Sequence, residues 1–426
     1  MSNQTAMATN TTKSNFGTKG WLMIVFAGLM FYFYSGFCTD GLNIIVINFA
    51  MSNHLEVPQV LAITTPAAWF GIIGSIFWAV FADKKSLRLT LLVTSVIGGI
   101  SFMLYSFVHT ITGFFIITSL VNFMGMGFTF TVANSLMAKW FPIKKGLALG
   151  WATMGQNMAS ATFIPLFLLI MHKLSLGGSF VIWGIILMVV GILGWFIIRD
   201  TPEELGCAPD NGQFTKEEIE ANFREIQDYK SPWTPVKLIA NKQTWLIGLG
   251  YGIYILVTVA LVSQLIPRLM ASGWPIEKAT AMMSVAAVLG LFGSYGTGWM
   301  DQKIGTKITS VLYGVWYLIA LVLCAIPNPS DMILYASIFF TGVGIGGIGN
   351  LFPSMAATVF GRYDFIRSMA VLNPITGVVR SFAFVIIAVG MVRLGGYSGA
   401  YGIIAALDII GIFLVSRIDD ACIGKH

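Results

Sequence analysis

Asn373, Thr376 and Arg380 follow one another at spacings of three and four residues in Ser368 to Met391, an apolar stretch with no other charge. On a helix this spacing sets a carboxamide, a hydroxyl and a guanidinium on one face. A guanidinium at membrane depth costs about 2.5 to 3.5 kcal/mol on insertion scales, so it faces a wet cavity or a counter-charge. Its planar fork can grip a carboxylate through two parallel hydrogen bonds, and the chemistry implied is binding of a small organic anion. Two buried acids accompany it. Asp40 lies within Phe37-Cys38-Thr39-Asp40-Gly41-Leu42-Asn43, about two-thirds along the first apolar run. Desolvation of a carboxyl group favours its neutral form, which makes Asp40 a candidate proton carrier, alongside the plainer reading that it sits at a wet end or caps a broken helix. Asp408, near the middle of the last apolar run, is a second such group and also a rival partner for Arg380. Arg380 therefore has two open readings, an anion site or a structural ion pair with Asp408.

The elements that must hold these residues follow from composition. Of 426 residues, 56% are hydrophobic and 10% charged, against about 25% charged in soluble domains. With a mean hydropathy of +0.79, the chain reads as an all-α polytopic membrane protein. Runs of roughly 20 apolar residues, enough to cross a hydrocarbon core of about 30 Å, number about twelve. Six fall between Gly20 and Ile198 and six between Thr244 and Val415, separated by the polar stretch Arg199 to Lys242. The organisation expected is a tail at 1–19, a six-helix bundle at 20–198, a linker at 199–242, a second bundle at 243–417 and a tail at 418–426. Within the linker, Thr215 followed by Lys216-Glu217-Glu218 marks the start of a surface helix.

The net charge of +6 does not point to nucleic acid, because the basic residues sit at segment ends without interleaved aromatics. They report orientation instead. With both termini cytoplasmic, the inner side holds Lys13, Lys19, Lys84, Lys85, Arg88, Lys139, Lys144, Lys145, Lys303, Lys307, Arg362, Arg367, Arg417 and Lys425, besides the linker's own basic residues. The outer side holds only Lys173, Arg268, Lys278 and Arg393, as the positive-inside rule requires of an inner or plasma membrane protein. Residues 1 to 19 are polar and the first apolar run is too long for a signal core, so no secretory leader is expected. Cys38, Cys207, Cys324 and Cys422 show neither a disulfide framework nor metal-ligand spacing. His54, His109, His172 and His426 lie near outer ends or at the terminus, and no catalytic constellation forms. No enzyme activity, cofactor or metal is expected.

The two halves repeat. The loop Ala79-Val80-Phe81-Ala82-Asp83-Lys84-Lys85-Ser86-Leu87-Arg88 is echoed by Gly298-Trp299-Met300-Asp301-Gln302-Lys303-Ile304-Gly305-Thr306-Lys307, and 298 − 79 = 219. Phe141 in Trp140-Phe141-Pro142 matches Phe360, and 360 − 141 is again 219. These loops and the six-linker-six plan resemble the major facilitator superfamily over essentially Gly20 to Val415. That resemblance implies two pseudo-symmetric bundles, a substrate site near the midplane between them and transport by alternating access. The first loop departs from the pattern at Ala79 and Ser86, where glycines are usual, and the second places Asp301 one position early.

By the same resemblance, Asp83, Lys84, Arg88, Asp301, Lys307 and Arg362 form the cytoplasmic gate, with plain topology anchoring as the alternative. The turn Trp140-Phe141-Pro142 to Lys145-Gly146, before a glycine-rich helix with Pro165, is similar to the oxalate/formate antiporter and monocarboxylate branch. In that branch a basic residue on the eleventh helix contacts the anion, a place Arg380 occupies; the arginine usual on the eighth helix is missing, which implies one carboxylate rather than a dianion. Asp40 and Asn43 resemble part of an element in the anion:cation symporters, where an acid is linked to proton coupling, but Gly41 replaces the arginine of that element. The helices that line the cavity in this superfamily contribute Tyr32, Tyr34, Asn122, Gln156, Asn157, Tyr254 and Asn350, each a substrate contact or an interhelical bond. The expectation is a monomeric carrier of a small organic monocarboxylate in a lipid bilayer, as proton symport or anion exchange. A neutral-solute or drug carrier, favoured if Arg380 pairs with Asp408, and a transport-dead sensor are the alternatives.

Overall fold

The computed structural model describes residues 15–424, so Lys13 and Lys425 lie outside the described residues. Eleven helical segments are long and apolar enough to cross a membrane. They are α1 (Gly17–Ser52), α2 (Val57–Lys84), α3 (Leu87–Phe107), α4 (Ile111–Trp140), α5 (Lys145–Lys173), α6 (Leu176–Ile197), α7 (Lys242–Ser263), α8 (Ile276–Ile304), α9 (Thr306–Ala325), the 63-residue stretch Asp331–Arg393, and α12 (Tyr397–Ser416). A helix of that length would run about 95 Å at 1.5 Å per residue, some three hydrocarbon thicknesses. It turns back at Gly361, whose φ of 73° lies in the left-handed region that favours glycine. Residues 331–360 are thus α10 and residues 362–393 are α11, which makes twelve helical segments of membrane-crossing length among the described residues. Helices prevail because hydrocarbon offers no hydrogen bonds, so each backbone group must be satisfied within its own segment.

The packing repeats between the halves. In the first six-helix bundle α1 packs on α5, α2 on α4, and α3 on α6; in the second, α7 packs on α11, α8 on α10, and α9 on α12. Contacts of α5 with α8 and of α2 with α11 join the bundles. Short polar residues start several helices, with Ser86, Thr110 and Ser175 each accepting from a backbone N–H in the first turn. The linker helix announced by Thr215 forms over Lys216–Asp228, and Thr215 and Glu218 make a reciprocal capping box.

Interruptions inside the spans place the polar groups. The first span breaks at Thr39, between helices Gly17–Cys38 and Asp40–Ser52. A Cβ on Gly41 would collide with the Gly36 carbonyl oxygen and lie 2.8 Å from the Phe163 ring, so the break and the α1–α5 contact demand glycine there. In α4, Met126–Ala133 widens into a π-helical turn, a form common at functional sites. Gly41→Ala should therefore lower stability by about 1 to 3 kcal/mol through overpacking. A thermal melt of the purified protein measures this; a melting temperature equal to that of the unsubstituted protein would refute it.

Candidate functional site

Arg380 occupies the last turn of a helical stretch that ends at Ser381 and resumes at Ala383, the Phe382 N–H reaching back toward Arg380 O and Val379 O. Carbonyls left unpaired at such an end favour a cation. Asn373 and Thr376 share this face and are buried, 8% and 4% exposed. Thr376 Oγ1 donates back to Asn373 O at 3.0 Å. The guanidinium is half-buried and forms no ion pair among the described residues. It lies within electrostatic reach of the Tyr34 hydroxyl, across the bundle interface on α1. Tyr34 is held edge-on by Phe130 of the π-turn, ring centroids 4.9 Å apart, and rests against Gly125. A fixed cation of one bundle and a phenol of the other thus face each other at the depth where the helices are broken.

Asp40, the first residue after the α1 break, accepts hydrogen bonds on Oδ2 from Ser35 Oγ at 3.1 Å and from Ser160 Oγ of α5. The start of the half-helix adds its positive end to this carboxylate. Nearby, Thr162 Oγ1 donates to Tyr32 Oη at 3.1 Å, on the exposed part of α5. Gln156 is half-buried, its amide oxygen 4.0 Å from where a Cβ on Gly349 would stand. Asn157 Nδ2 donates to Ser294 Oγ at 3.0 Å, and Asn350 Nδ2 to Ser294 O at 2.8 Å and Thr297 Oγ1 at 3.0 Å. These amides tie α5, α8 and α10 together below the break.

Three residues stand elsewhere. Asp408 is fully buried, with neither carboxylate oxygen hydrogen-bonded and no ion pair to Arg380 among the described residues. It lies within electrostatic reach of Tyr254, Tyr313 and Tyr317, because α12 turns this face toward α7 and α9 inside its own bundle. Tyr254 is buried in that interior against Gly314 and the Tyr313 ring. Asn122 bonds back to Thr118 O at 2.9 Å and abuts Gly71 of α2. The Arg380–Asp408 ion pair is therefore not formed: the two side chains leave their helices toward different compartments.

The side of the molecule that carries Lys19, Gly424 and the linker is closed. Arg367 Nε donates to both oxygens of Asp83, at 3.1 and 2.9 Å, joining the start of α11 to the end of α2. A Cβ on Gly298 of α8 would stand 2.5 Å from Gly146 O and 2.9 Å from Gly150 Cα of α5, so the backbones nearly touch. Asp301 packs on Gly146 and accepts from Thr306 Oγ1 at 2.6 Å. Other expected gate residues serve different joints. Arg88 donates to Trp195 O at 3.1 and 2.9 Å and lies over the Trp195 ring, pinning α3 to α6 within one bundle. Arg362 pairs instead with Glu203 of the linker at 2.6 Å, where both side chains are almost wholly buried. Lys84 and Lys307 form no ion pair among the described residues.

The linker is a working part of this face. Asp200 accepts from Leu87 N at 2.8 Å and Arg88 N at 3.2 Å at the start of α3, and Asp210 from Ile143 N at 3.0 Å and Lys144 N at 2.8 Å before α5. Burial pushes the Asp210 carboxyl up to about 6 despite these donors and Lys144. Tyr229 Oη donates to Asp364 at 2.6 Å. Sequence reading passed over Arg367 as a gate residue, the serines on Asp40 and these linker acids. Only their position near helix ends signalled them, and that position does not name a partner.

The arrangement agrees with known proteins. The family model described as Major Facilitator Superfamily matches residues 21–383. The oxalate:formate antiporter of Oxalobacter formigenes is 24% identical over 66% of this chain and 63% of its own length. Monocarboxylate transporter 13 of Rattus norvegicus is 21% identical over 56% of this chain and 51% of its own length. The chain thus spans about half to two-thirds of the curated relatives it matches. Among solved structures, the proton:xylose symporter XylE bound to 6-bromo-6-deoxy-D-glucose aligns at a TM-score of 0.70 and 12% identity, covering 93% of this chain and 95% of that one. The human organic anion transporter MFSD10 aligns at 0.69 and 11% identity, covering 92% and 98%. With its family matched over most of its length and its helices arranged in the same fold, the chain belongs to the major facilitator superfamily.

Proposed function

We propose that this transporter carries a small organic anion, in the first instance a monocarboxylate, across an inner or plasma membrane by alternating access, as proton symport or anion exchange. The observation that carries the reading is Arg380: a half-buried guanidinium at the interface of the bundles, facing Tyr34, with no carboxylate partner among the described residues. A carboxylate of the substrate supplies the missing counter-charge, held by the fork with Asn373 and Tyr34 as polar neighbours. Relatives named for oxalate, formate and monocarboxylates support the class of cargo. The neutral-solute alternative leaned on an Arg380–Asp408 pair and has lost that support. Basic residues concentrated on the closed side make it the cytoplasmic side, and the chain is taken to work as a monomer.

Asp40 is the coupling group in this scheme, with Asp408 as a second protonatable site inside the C-terminal bundle. Two hydroxyls on one oxygen of Asp40 hold the carboxylate at the α1 break, so loading or losing a proton alters the α1–α5 contact directly. Substrate and proton then act on neighbouring parts of one hinge. Among the described residues, Asp83–Arg367 and Asn157–Ser294 are the hydrogen-bonded pairs that join the bundles directly, and both must part for the cytoplasmic side to open.

In proteoliposomes, Arg380→Gln should weaken binding of a radiolabelled short carboxylate about 10- to 100-fold, the worth of charge-assisted hydrogen bonds. Counterflow against a sugar and a hydrophobic cation reads this, and intact carboxylate binding by a folded variant would end the anion-site proposal. Asp40→Asn should keep counterflow but lose uphill accumulation driven by a pH gradient; full accumulation would remove Asp40 from the coupling scheme. The Asp83–Arg367 pair is partly exposed and worth up to about 1 kcal/mol. Asp83→Asn should accordingly raise the cytoplasm-open population by up to about fivefold, read by labelling a cysteine placed at Thr153, which is buried on α5 against Gly349 of α10, and an unchanged labelling rate would exclude a gating role.

A further inference from the structure

A second guanidinium is buried in the C-terminal bundle, apart from Arg380. Arg268 belongs to the short helix Leu265–Ala271, which continues α7 beyond a break at Gln264. It is 3% exposed. Its Nη2 donates to Ser337 Oγ of α10 at 2.5 Å, while Nε and Nη1 are buried without a hydrogen-bond partner. No carboxylate forms an ion pair with it among the described residues. Asp331, the acid at this end of α10, is engaged by Trp274 Nε1 at 2.8 Å and by Lys278 at 3.9 Å.

The groups gathered around Arg268 are hydroxyls and a thiol. Tyr401 of α12 and Cys324 of α9 lie within its electrostatic reach, and the Cys324 sulfur sits against the hydroxyls of Ser337 and Thr341. Tyr401 Oη and Thr341 Oγ1 are buried and have no partner of their own. Leu265, Leu269, Trp274, Leu334 and Ile338 close the region with apolar surface. A buried cation whose neighbours offer donors and no anionic acceptor is costly, and the deficit is one negative charge. A spherical, monovalent and weakly hydrated anion meets it: a few N–H and O–H donors with an apolar wall suffice, whereas sulfate or phosphate would bring a second charge and demand more donors.

We propose that Arg268, with Thr341 and Tyr401, forms a halide-binding site in the interior of the C-terminal bundle, separate from the anion site proposed at Arg380. The bound ion neutralises the guanidinium and ties α7, α10 and α12 together, so it stabilises the folded bundle by mass action. Thermal melts of the purified full-length protein in chloride, bromide, gluconate and sulfate at equal ionic strength test this. Chloride and bromide should raise the melting temperature of the unsubstituted protein and of Arg380→Gln, and Arg268→Gln should abolish that halide response. Thr341→Val and Tyr401→Phe, which keep the cation and the packing, should each weaken apparent halide affinity severalfold; they decide the matter if Arg268→Gln does not fold. No halide-specific stabilisation of the unsubstituted protein, an undiminished response in folded Arg268→Gln, unchanged affinity in both Thr341→Val and Tyr401→Phe, or loss of the response in Arg380→Gln would each overturn the proposal.

Discussion

A charge that cannot reach water has to be answered by another group, and the positions at which this protein answers or withholds that group organise the rest of it. Hydrocarbon makes an uncompensated ion cost several kcal/mol, so the helices are broken where ionised or polar side chains must be held. Asp40 follows the break in α1, Arg380 precedes the break in α11, and the π-turn of α4 aims Phe130 at Tyr34. These interruptions lie in helices that meet across the bundle interface. A transporter needs such places, because an unbroken apolar helix offers a substrate nothing to bind and a hinge nowhere to bend.

On the closed side the same economy works through the linker. Glu203 and Arg362 form a buried pair between the linker and the turn into α11, while Asp200 and Asp210 cap α3 and the approach to α5. One polar segment thus grips both bundles at helix starts, where backbone N–H groups and the helix dipole favour carboxylates. The Asp83–Arg367 pair is more exposed and weaker. A strong attachment of the linker beside a weak contact between bundles suits a face that must open without coming apart, and the near contact of α5 and α8 backbones at Gly146, Gly150 and Gly298 keeps its closed form compact.

Much of this was legible in the amino-acid sequence. The all-α membrane fold and the shared face of Asn373, Thr376 and Arg380 follow from hydropathy and helical period, which depend on one segment at a time. Even the linker helix could be placed, because Thr215 and Glu218 satisfy each other locally. What the sequence alone did not settle was who faces whom. Arg380 and Asp408 looked equally able to pair, yet α12 turns Asp408 toward Tyr254, Tyr313 and Tyr317, and Arg380 meets Tyr34 instead. Arg88 and Arg362 carry the right charge for a gate but turn to Trp195 and Glu203, leaving Asp83 to Arg367. The sequence by itself determined which segments cross the membrane and which residues share a face; the tertiary structure alone decided partners, because rotation and depth of each helix are set by packing against helices far away in the chain, and a shift of one residue turns a side chain by about 100°.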